Sequence, residues 1–227
     1  MSIAQNLQAV RERMAQAAIA AGRDPASVRL VAVSKMHAAS EVAQALAAGQ
    51  LIFGENYAQE AQAKIAAVGP GAHWHFIGHL QGNKARLAAG LFDMIESVHS
   101  LKLAQALDRH CQEMGKRLPV LLQVNLGGEA QKSGCPPHEA PALASAMAAL
   151  PGLELKGLMT MPPFYDDPGQ ARPIFAGLRR LAASLAPGLP PGSMDELSMG
   201  MSGDFEAAIA EGSTLVRVGT AIFGQRG

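Results

Sequence analysis

A lysine closes a strongly apolar stretch near the start of the chain. Residues 28–35 read VRLVAVSK, and an almost unbroken apolar run of this length is typical of a parallel strand buried on both faces. At the edge of an apolar interior an amine loses hydration, which lowers its pKa and leaves part of it neutral enough to attack a carbonyl carbon. Lys35 is therefore a candidate for forming a Schiff base with a carbonyl ligand. The alternative is a side chain that extends to solvent.

Two turns rich in glycine and hydroxyl groups form a candidate phosphate site. Residues 197–204, LSMGMSGD, lead from a predicted strand into a short helix, where backbone N–H groups lack partners and the dipole favours an anion. Ser202 lies in this turn, and Gly219 and Thr220 follow the next predicted strand. Each turn alone is also explained as an ordinary helix start. Together they predict a phosphate site, because barrel enzymes often bind phosphate with the turns after strands seven and eight.

Arg217 lies on the last predicted strand and narrows the choice of ligand. A guanidinium has five N–H donors and no acceptor, so an inward-facing Arg217 would donate to an acceptor nitrogen on a ligand ring and keep it unprotonated. A ligand with a carbonyl, a phosphate and a ring nitrogen fits pyridoxal 5′-phosphate (PLP). Two alternatives stay open: a sugar-phosphate aldehyde held by a Schiff-base aldolase, and an Arg217 paired with Glu206 or Glu211.

The elements that must position these groups repeat along the chain. After an amphipathic helix over residues 3–21, apolar runs alternate with helical patterns eight times. This alternation predicts an α/β fold, a single (β/α)8 TIM-type barrel with an extra N-terminal helix and one domain over residues 1–227. The intervening helices include one capped by Ser40, one over residues 80–89 and one capped by Ser100. The predicted strands cover residues 28–35, 51–53, 73–77, 91–96, 119–126, 153–159, 194–198 and 214–218.

The order of the elements places the candidate residues at one end of the barrel. Reactive groups of such barrels lie at the C-terminal ends of the strands. Lys35 ends predicted strand one, Asn56 follows strand two and His79 follows strand three. Residues 198–202 follow strand seven, and Gly219 follows strand eight. We therefore expect all of them at the same mouth.

The composition excludes several classes of function. Nineteen basic residues balance nineteen acidic ones, so the basic excess typical of proteins that bind nucleic acids or anionic membranes is missing. No run reaches membrane-spanning length, no export signal is evident, and Cys111 and Cys135 suggest neither a disulfide framework nor a zinc site, which predicts the cytoplasm. His73 and His75 share a strand face, but without further ligands they indicate packing rather than a metal. A pure interaction module would require that Lys35 be unreactive.

Six segments of the sequence, taken together, form a specific pattern of motifs. They are VAVSK over 31–35, FGENYAQE over 53–60, HWHFIGHLQGNK over 73–84, KGLMTM over 156–161, LSMGMSGDFEAAI over 197–209 and VRVGTAIFG over 216–224. Together they resemble the pyridoxal phosphate homeostasis proteins, which are related in fold to the barrel domain of alanine racemase, and the resemblance spans nearly the whole chain. It implies a protein that carries or buffers PLP in vitamin B6 homeostasis. It also implies these cofactor contacts: a Schiff base on Lys35, phosphate contacts from Ser202, Gly219 and Thr220, Arg217 opposite the pyridine nitrogen, and Asn56 beside the cofactor.

Some positions depart from the family pattern or extend it. Many members place a lysine and a proline soon after the reactive lysine, whereas Met36, His37 and Ala38 follow it here. This departure removes a secondary basic group from the expected site. Lys132 matches a family lysine that takes up cofactor outside the main site, and its alternative is a solvated loop lysine.

The sequence favours a carrier over a catalyst. An arginine opposite the ring nitrogen leaves that nitrogen neutral and weakens the ring as an electron sink. Racemases of related fold carry a second, β-rich domain after the barrel, whereas this sequence stops soon after predicted strand eight, and neither Tyr57 nor Tyr165 lies in a supporting motif. We therefore expect a monomer without substantial turnover that passes PLP on, with apo PLP-dependent enzymes as candidate recipients. The alternative is a PLP-dependent amino-acid racemase or a related fold-type III enzyme.

Overall fold

Eight parallel strands form a closed barrel in the computed structural model, which describes residues 2–128 and 133–225. Each strand pairs with the next along the chain, and the last pairs with the first through a register that sets Arg29 opposite Leu215. The predicted (β/α)8 architecture is confirmed. The strands are β1 (Arg29–Val33), β2 (Ile52–Glu55), β3 (His73–Phe76), β4 (Met94–Val98), β5 (Leu118–Gln123), β6 (Leu153–Met159), β7 (Glu196–Ser198) and β8 (Leu215–Val218).

Helices surround the barrel, and the leading helix predicted from the sequence is present. The leading helix starts with a capping box, in which Ser2 and Gln5 exchange backbone and side-chain hydrogen bonds, and buries Leu7, Val10 and Met14 on one face. That face packs against the last two helices of the chain. The helices are α1 (Ile3–Ala20), α2 (Ala39–Ala47), α3 (Ala58–Val68), α4 (Ala85–Leu91), α5 (Leu101–Glu113), α6 (Ala140–Ala148), α7 (Arg172–Leu185), α8 (Phe205–Ala210) and α9 (Thr220–Phe223).

The interior of the barrel is built in layers. Its apolar floor consists of five inward-facing side chains from five strands: Val31, Met94, Leu121, Met159 and Leu215. Side chains two positions further along a strand face the same side, so the next layer towards the C-terminal strand ends contains Val33, Glu96, Gln123, Met161 and Arg217. Glu96, Gln123 and Arg217 therefore bring polar groups into the barrel above its apolar floor.

Several predicted boundaries were wrong. Strand β1 ends at Val33, so Lys35 lies in the turn after the strand rather than at its end. Ser40 does not cap α2; the helix starts after Ala38, whose N–H donates to the Glu41 carboxylate at 2.8 Å. Residues 80–89 are not one helix, because a 3-10 turn at Gly82–Lys84 precedes α4. Strand β4 lies further along than predicted, since α4 extends to Leu91.

None of the helices in the described part of the chain combines the length and the apolar character that crossing a bilayer requires. Cys111 and Cys135 are both buried free thiols, as the absence of a disulfide framework in the sequence predicted.

Candidate functional site

One cavity opens at the C-terminal ends of the strands, and all six predicted site residues line it. Its volume is about 310 Å³, within the range of small-ligand pockets. The six are Lys35, Asn56, Ser202, Arg217, Gly219 and Thr220. The structure therefore brings together residues that are up to 185 positions apart in the sequence. Their contacts with a cofactor stay a prediction.

The turn that carries Lys35 is fixed by its neighbours. The Ser34 N–H donates to the Gly54 carbonyl at 3.0 Å, and the His37 N–H donates to the Ser34 carbonyl at 3.1 Å. Met36 adopts a φ of 63°, a left-handed conformation that costs a non-glycine residue free energy. Its N–H donates to the Glu60 carboxylate at 2.6 Å, which holds the turn in this shape.

A buried ion cluster lies beside this turn. Lys64, from α3, donates through Nζ to the Ser34 carbonyl at 2.6 Å, to Glu55 Oε1 at 2.6 Å and to Glu60 Oε1 at 2.9 Å. The Ser34 hydroxyl also donates to Glu55 Oε1, at 2.7 Å. Burial raises the pKa of Glu55 although the hydrogen bonds from Lys64 and Ser34 oppose the shift. The cluster ties Ser34, the neighbour of Lys35, to both β2 and α3.

Asn56 follows β2 and lines the cavity, and its side chain contains a buried acceptor. Its Oδ1 atom is buried and has no hydrogen-bond partner in the described structure. A buried polar atom in that condition costs free energy unless a ligand or another group donates to it. Gly78 packs against the Asn56 backbone so closely that a Cβ atom at position 78 would lie 2.3 Å from the Asn56 carbonyl oxygen. This packing fixes Asn56 at the wall of the cavity.

The two predicted phosphate turns contact each other. The Gly219 N–H donates to the Ser202 hydroxyl at 3.3 Å, and α9 begins directly after Gly219. Gly200 has a φ of +94°, and a Cβ atom there would lie 2.6 Å from the Ala208 Cβ. Only glycine therefore fits this tight entry to α8. Asp204 accepts from the Met201 N–H at 2.6 Å, and burial raises its pKa.

Arg217 is buried at the base of the cavity, with 3% of its surface exposed. Its guanidinium donates to the Ser198 hydroxyl through one terminal nitrogen and to the Thr160 carbonyl, at 2.9 Å, through the other. Burial lowers its pKa, and the Glu96 carboxylate opposes that shift. The alternative prediction that Arg217 pairs with Glu206 or Glu211 was wrong. Glu206 pairs with Arg13, whereas Glu211 pairs with Arg172 and Arg179.

Glu96, which the sequence analysis missed, and His75, which it assigned to packing, support the site. The Glu96 side chain is fully buried, and one of its carboxylate oxygens lies 2.6 Å from His75 Nδ1. The other accepts from the Ser198 hydroxyl at 2.5 Å. Burial opposes the charge on Glu96, but the hydrogen bond from His75 and the charges of His75 and Arg217 lower its pKa overall. The available signal was a carboxylate within an apolar strand, two positions after an inward-facing methionine.

His79, which was expected at the mouth, contacts residues outside the predicted cofactor site. His79 lines a neighbouring pocket, stacks on His99 at 4.9 Å and lies 2.9 Å from the Ser133 hydroxyl. Over residues 2–128 and 133–225, no three His, Cys, Asp or Glu side chains gather as a metal site would require. Lys132, the candidate secondary site, lies outside the described residues.

Comparison with known proteins identifies the family. The profile of the family described as alanine racemase, N-terminal domain, matches residues 3–227. A pyridoxal phosphate homeostasis protein of Pseudomonas aeruginosa is 50% identical over 226 residues, which cover 99% of this chain and 96% of the relative. This chain belongs to the pyridoxal phosphate homeostasis protein family. The family member of the same name from Escherichia coli is 43% identical over 235 residues, covering 99% of this chain and 97% of its own.

A solved structure of a relative shares the fold across its whole length. PipY of Synechococcus elongatus, solved with PLP bound, superposes with a TM-score of 0.87 at 40% identity. The match covers 98% of this chain and 100% of PipY. The family member described here therefore has the same barrel as a relative that was solved with PLP.

Proposed function

We propose that this protein binds PLP and carries or buffers it in PLP homeostasis. The observation that carries the proposal is the cavity itself, where an amine, a guanidinium and two backbone turns face one space of ligand size. The naming of the curated relatives and the PLP in PipY support the same conclusion. We further propose that residues 1–227 act as one domain, as a monomer in the cytoplasm.

Each predicted residue has a proposed part in holding the cofactor. When bound, PLP supplies an aldehyde that condenses with an amine, and we assign that amine to Lys35, held as a Schiff base. Ser202, Gly219 and Thr220 would hold the phosphate through a hydroxyl and backbone N–H groups. Arg217 would donate to the ring nitrogen, and Asn56, on the cavity wall, would lie beside the cofactor.

The proposed role is storage and delivery without substantial turnover. A guanidinium opposite the ring nitrogen can donate but cannot give up its proton at neutral pH, so the ring nitrogen stays unprotonated and withdraws electrons weakly. Apo forms of PLP-dependent enzymes are the proposed recipients. The alternative is an amino-acid racemase or a related enzyme, for which Tyr165, a cavity-lining phenol, would be the acid–base candidate.

Reduction with borohydride followed by peptide mass spectrometry tests the proposed attachment. We expect the reduced pyridoxyl group on the peptide that contains Lys35, and its loss in Lys35→Arg, which keeps the positive charge. Lys84→Arg, a lysine replacement outside the cavity, is the matched control and should keep the modification. A modified lysine elsewhere, or an unchanged yield in Lys35→Arg, would contradict the assignment.

Hydrogen exchange separates the carrier from the enzyme. The PLP-loaded protein is incubated with L-amino acids in heavy water, and the α-hydrogen is followed by NMR. We expect exchange no faster than with free PLP. Exchange that is fast and lost in Tyr165→Phe would establish the racemase alternative.

A further inference from the structure

A hydrogen-bonded chain of buried polar side chains crosses the inside of the barrel below the cavity. It runs from His75 on β3 to Glu96 on β4, then to Ser198 on β7 and Arg217 on β8. Strands β4 and β8 are four strands apart in the closed barrel, so they form opposite walls. The chain therefore ties Arg217 to the far side of the barrel.

The Ser198 hydroxyl fixes the direction of this chain. Its single O–H group donates a hydrogen bond to the Glu96 carboxylate, so its lone pairs accept from the Arg217 guanidinium. The carboxylate of Glu96 and the nearer terminal nitrogen of Arg217 are 4.0 Å apart, so the two charges act mainly through the hydroxyl between them. With Ser198 and the Thr160 carbonyl each binding one terminal nitrogen, the guanidinium plane is held at two points.

Because Ser198 and Thr160 hold the guanidinium plane, the remaining N–H groups of Arg217 have fixed directions. Two of the five donors of a guanidinium are used by Ser198 and Thr160, and the residue lines the cavity. A buried guanidinium needs a counter-charge, which Asp204 supplies from the cavity wall and Glu96, the stronger of the two, supplies from outside that wall. Glu96 thus leaves the cavity-facing donors available to a ligand.

We propose that Glu96, acting through Ser198, is a positioning residue that holds Arg217 as the donor to the ring nitrogen of the bound cofactor. This inference rests on the proposed function, since it assigns the ring nitrogen as the target of Arg217. A role in folding alone would support every ligand of the cavity equally. A positioning role acts only on ligands that carry the ring nitrogen.

The test compares PLP with its analogue in which the ring nitrogen is replaced by C–H. Dissociation constants for both are measured by equilibrium dialysis with wild type, Glu96→Gln and Ser198→Ala, and folding is checked by circular dichroism. We expect each variant to weaken PLP binding about tenfold, the effect of losing one charge-assisted hydrogen bond, and to change binding of the analogue less than about twofold. Glu154→Gln, on strand β6 and paired at the surface with Lys156, is the matched control and should leave both constants unchanged.

Ser198→Ala keeps the test decisive if Glu96→Gln does not fold, because it breaks the link while both charges stay in place. Equal losses for PLP and the analogue would overturn the positioning role and leave the proposed function intact. Failure of the wild type to bind PLP would instead overturn the proposed function, and this inference with it.

Discussion

Replacing Lys64 by methionine tests whether the ion cluster beside Lys35 holds the site together. The side chains are of similar length, so Lys64→Met removes the ammonium while filling most of the same space. Three acceptors lose a hydrogen bond: the Ser34 carbonyl, Glu55 Oε1 and Glu60 Oε1. Within the described structure, Glu55 Oε1 keeps only the neutral Ser34 hydroxyl, and Glu60 Oε1 keeps only the Met36 N–H. Glu55 is the critical partner, because it is fully buried and its second oxygen already lacks a hydrogen-bond partner.

The expected loss of stability depends on pH because Glu55 can take up a proton. Removing one member of a buried ion pair costs about 3–5 kcal/mol when the other charge remains. Burial already raises the pKa of Glu55, and loss of Lys64 removes the main opposing interaction. A raised carboxyl pKa in the folded state gives stability that is complete below the unfolded value of about 4.3 and lost as the pH rises through the folded value. Lys64→Met should therefore lose about 3–5 kcal/mol at pH 8 and less at pH 5, because the raised pKa lets Glu55 take up a proton as the pH falls and a neutral carboxyl needs no counter-charge.

Urea unfolding at pH 5 and pH 8 measures both losses, with the buried Trp74, the one tryptophan of the chain, as the fluorescent probe. Lys156→Met removes a surface ion pair with Glu154 and should cost less than about 1 kcal/mol at either pH. Glu55→Gln combined with Lys64→Met should restore part of the stability lost at pH 8, because no buried charge is then left unpaired. Equal losses at both pH values, or additive effects in the double variant, would refute the reasoning.

Three further predictions concern the rest of the barrel. Burial, aided by the charge of Glu139, raises the pKa of Cys135 to about 11, so iodoacetamide at pH 8 should label it only after unfolding, as mass spectrometry can show. Gly157→Ala would place a Cβ atom 1.8 Å from the Glu196 carbonyl oxygen and should cost more than about 2 kcal/mol in urea unfolding, whereas Gly82→Ala, in open space, should not. Phe164 lines the cavity but is 87% exposed, so Phe164→Ala should change stability by less than about 0.5 kcal/mol and speed PLP release in stopped-flow chase experiments.

The barrel could be predicted from the sequence because buried parallel strands are nearly continuous apolar runs. The bounds of β6 were predicted correctly, and so was the Ser100 cap of α5, whose hydroxyl accepts from the Leu103 N–H. Strand ends were harder, because pairing with neighbours rather than composition ends a strand. Val33, paired with Gly54, is the last residue of β1, although the sequence pattern continues to Lys35. Helix α9 was missed because four residues carry no helical periodicity.

The cavity residues were predictable for a different reason than the layer below them. Lys35, Asn56 and Ser202 follow strands, and the fold brings the C-terminal strand ends to one place whatever the register. Glu96 and His75 lie within strands, where the partner of a side chain depends on how the barrel closes. The alternation of β4 predicts that Glu96 faces inward with Met94. The alternation does not predict that Ser198, 102 positions later, donates a hydrogen bond to Glu96.

Each of the two buried ion clusters lies next to a residue that lines the cavity. One cluster, centred on Lys64, binds the turn of Lys35, and the other, centred on Glu96, binds Arg217. Buried ion pairs seldom stabilise a fold more than apolar side chains of the same size, because desolvation offsets the attraction between the charges. Apolar side chains in place of both clusters would serve folding as well. Because one cluster lies directly beside the turn of Lys35 and the other directly beside Arg217, we infer that their role is to hold an amine and a guanidinium in fixed positions.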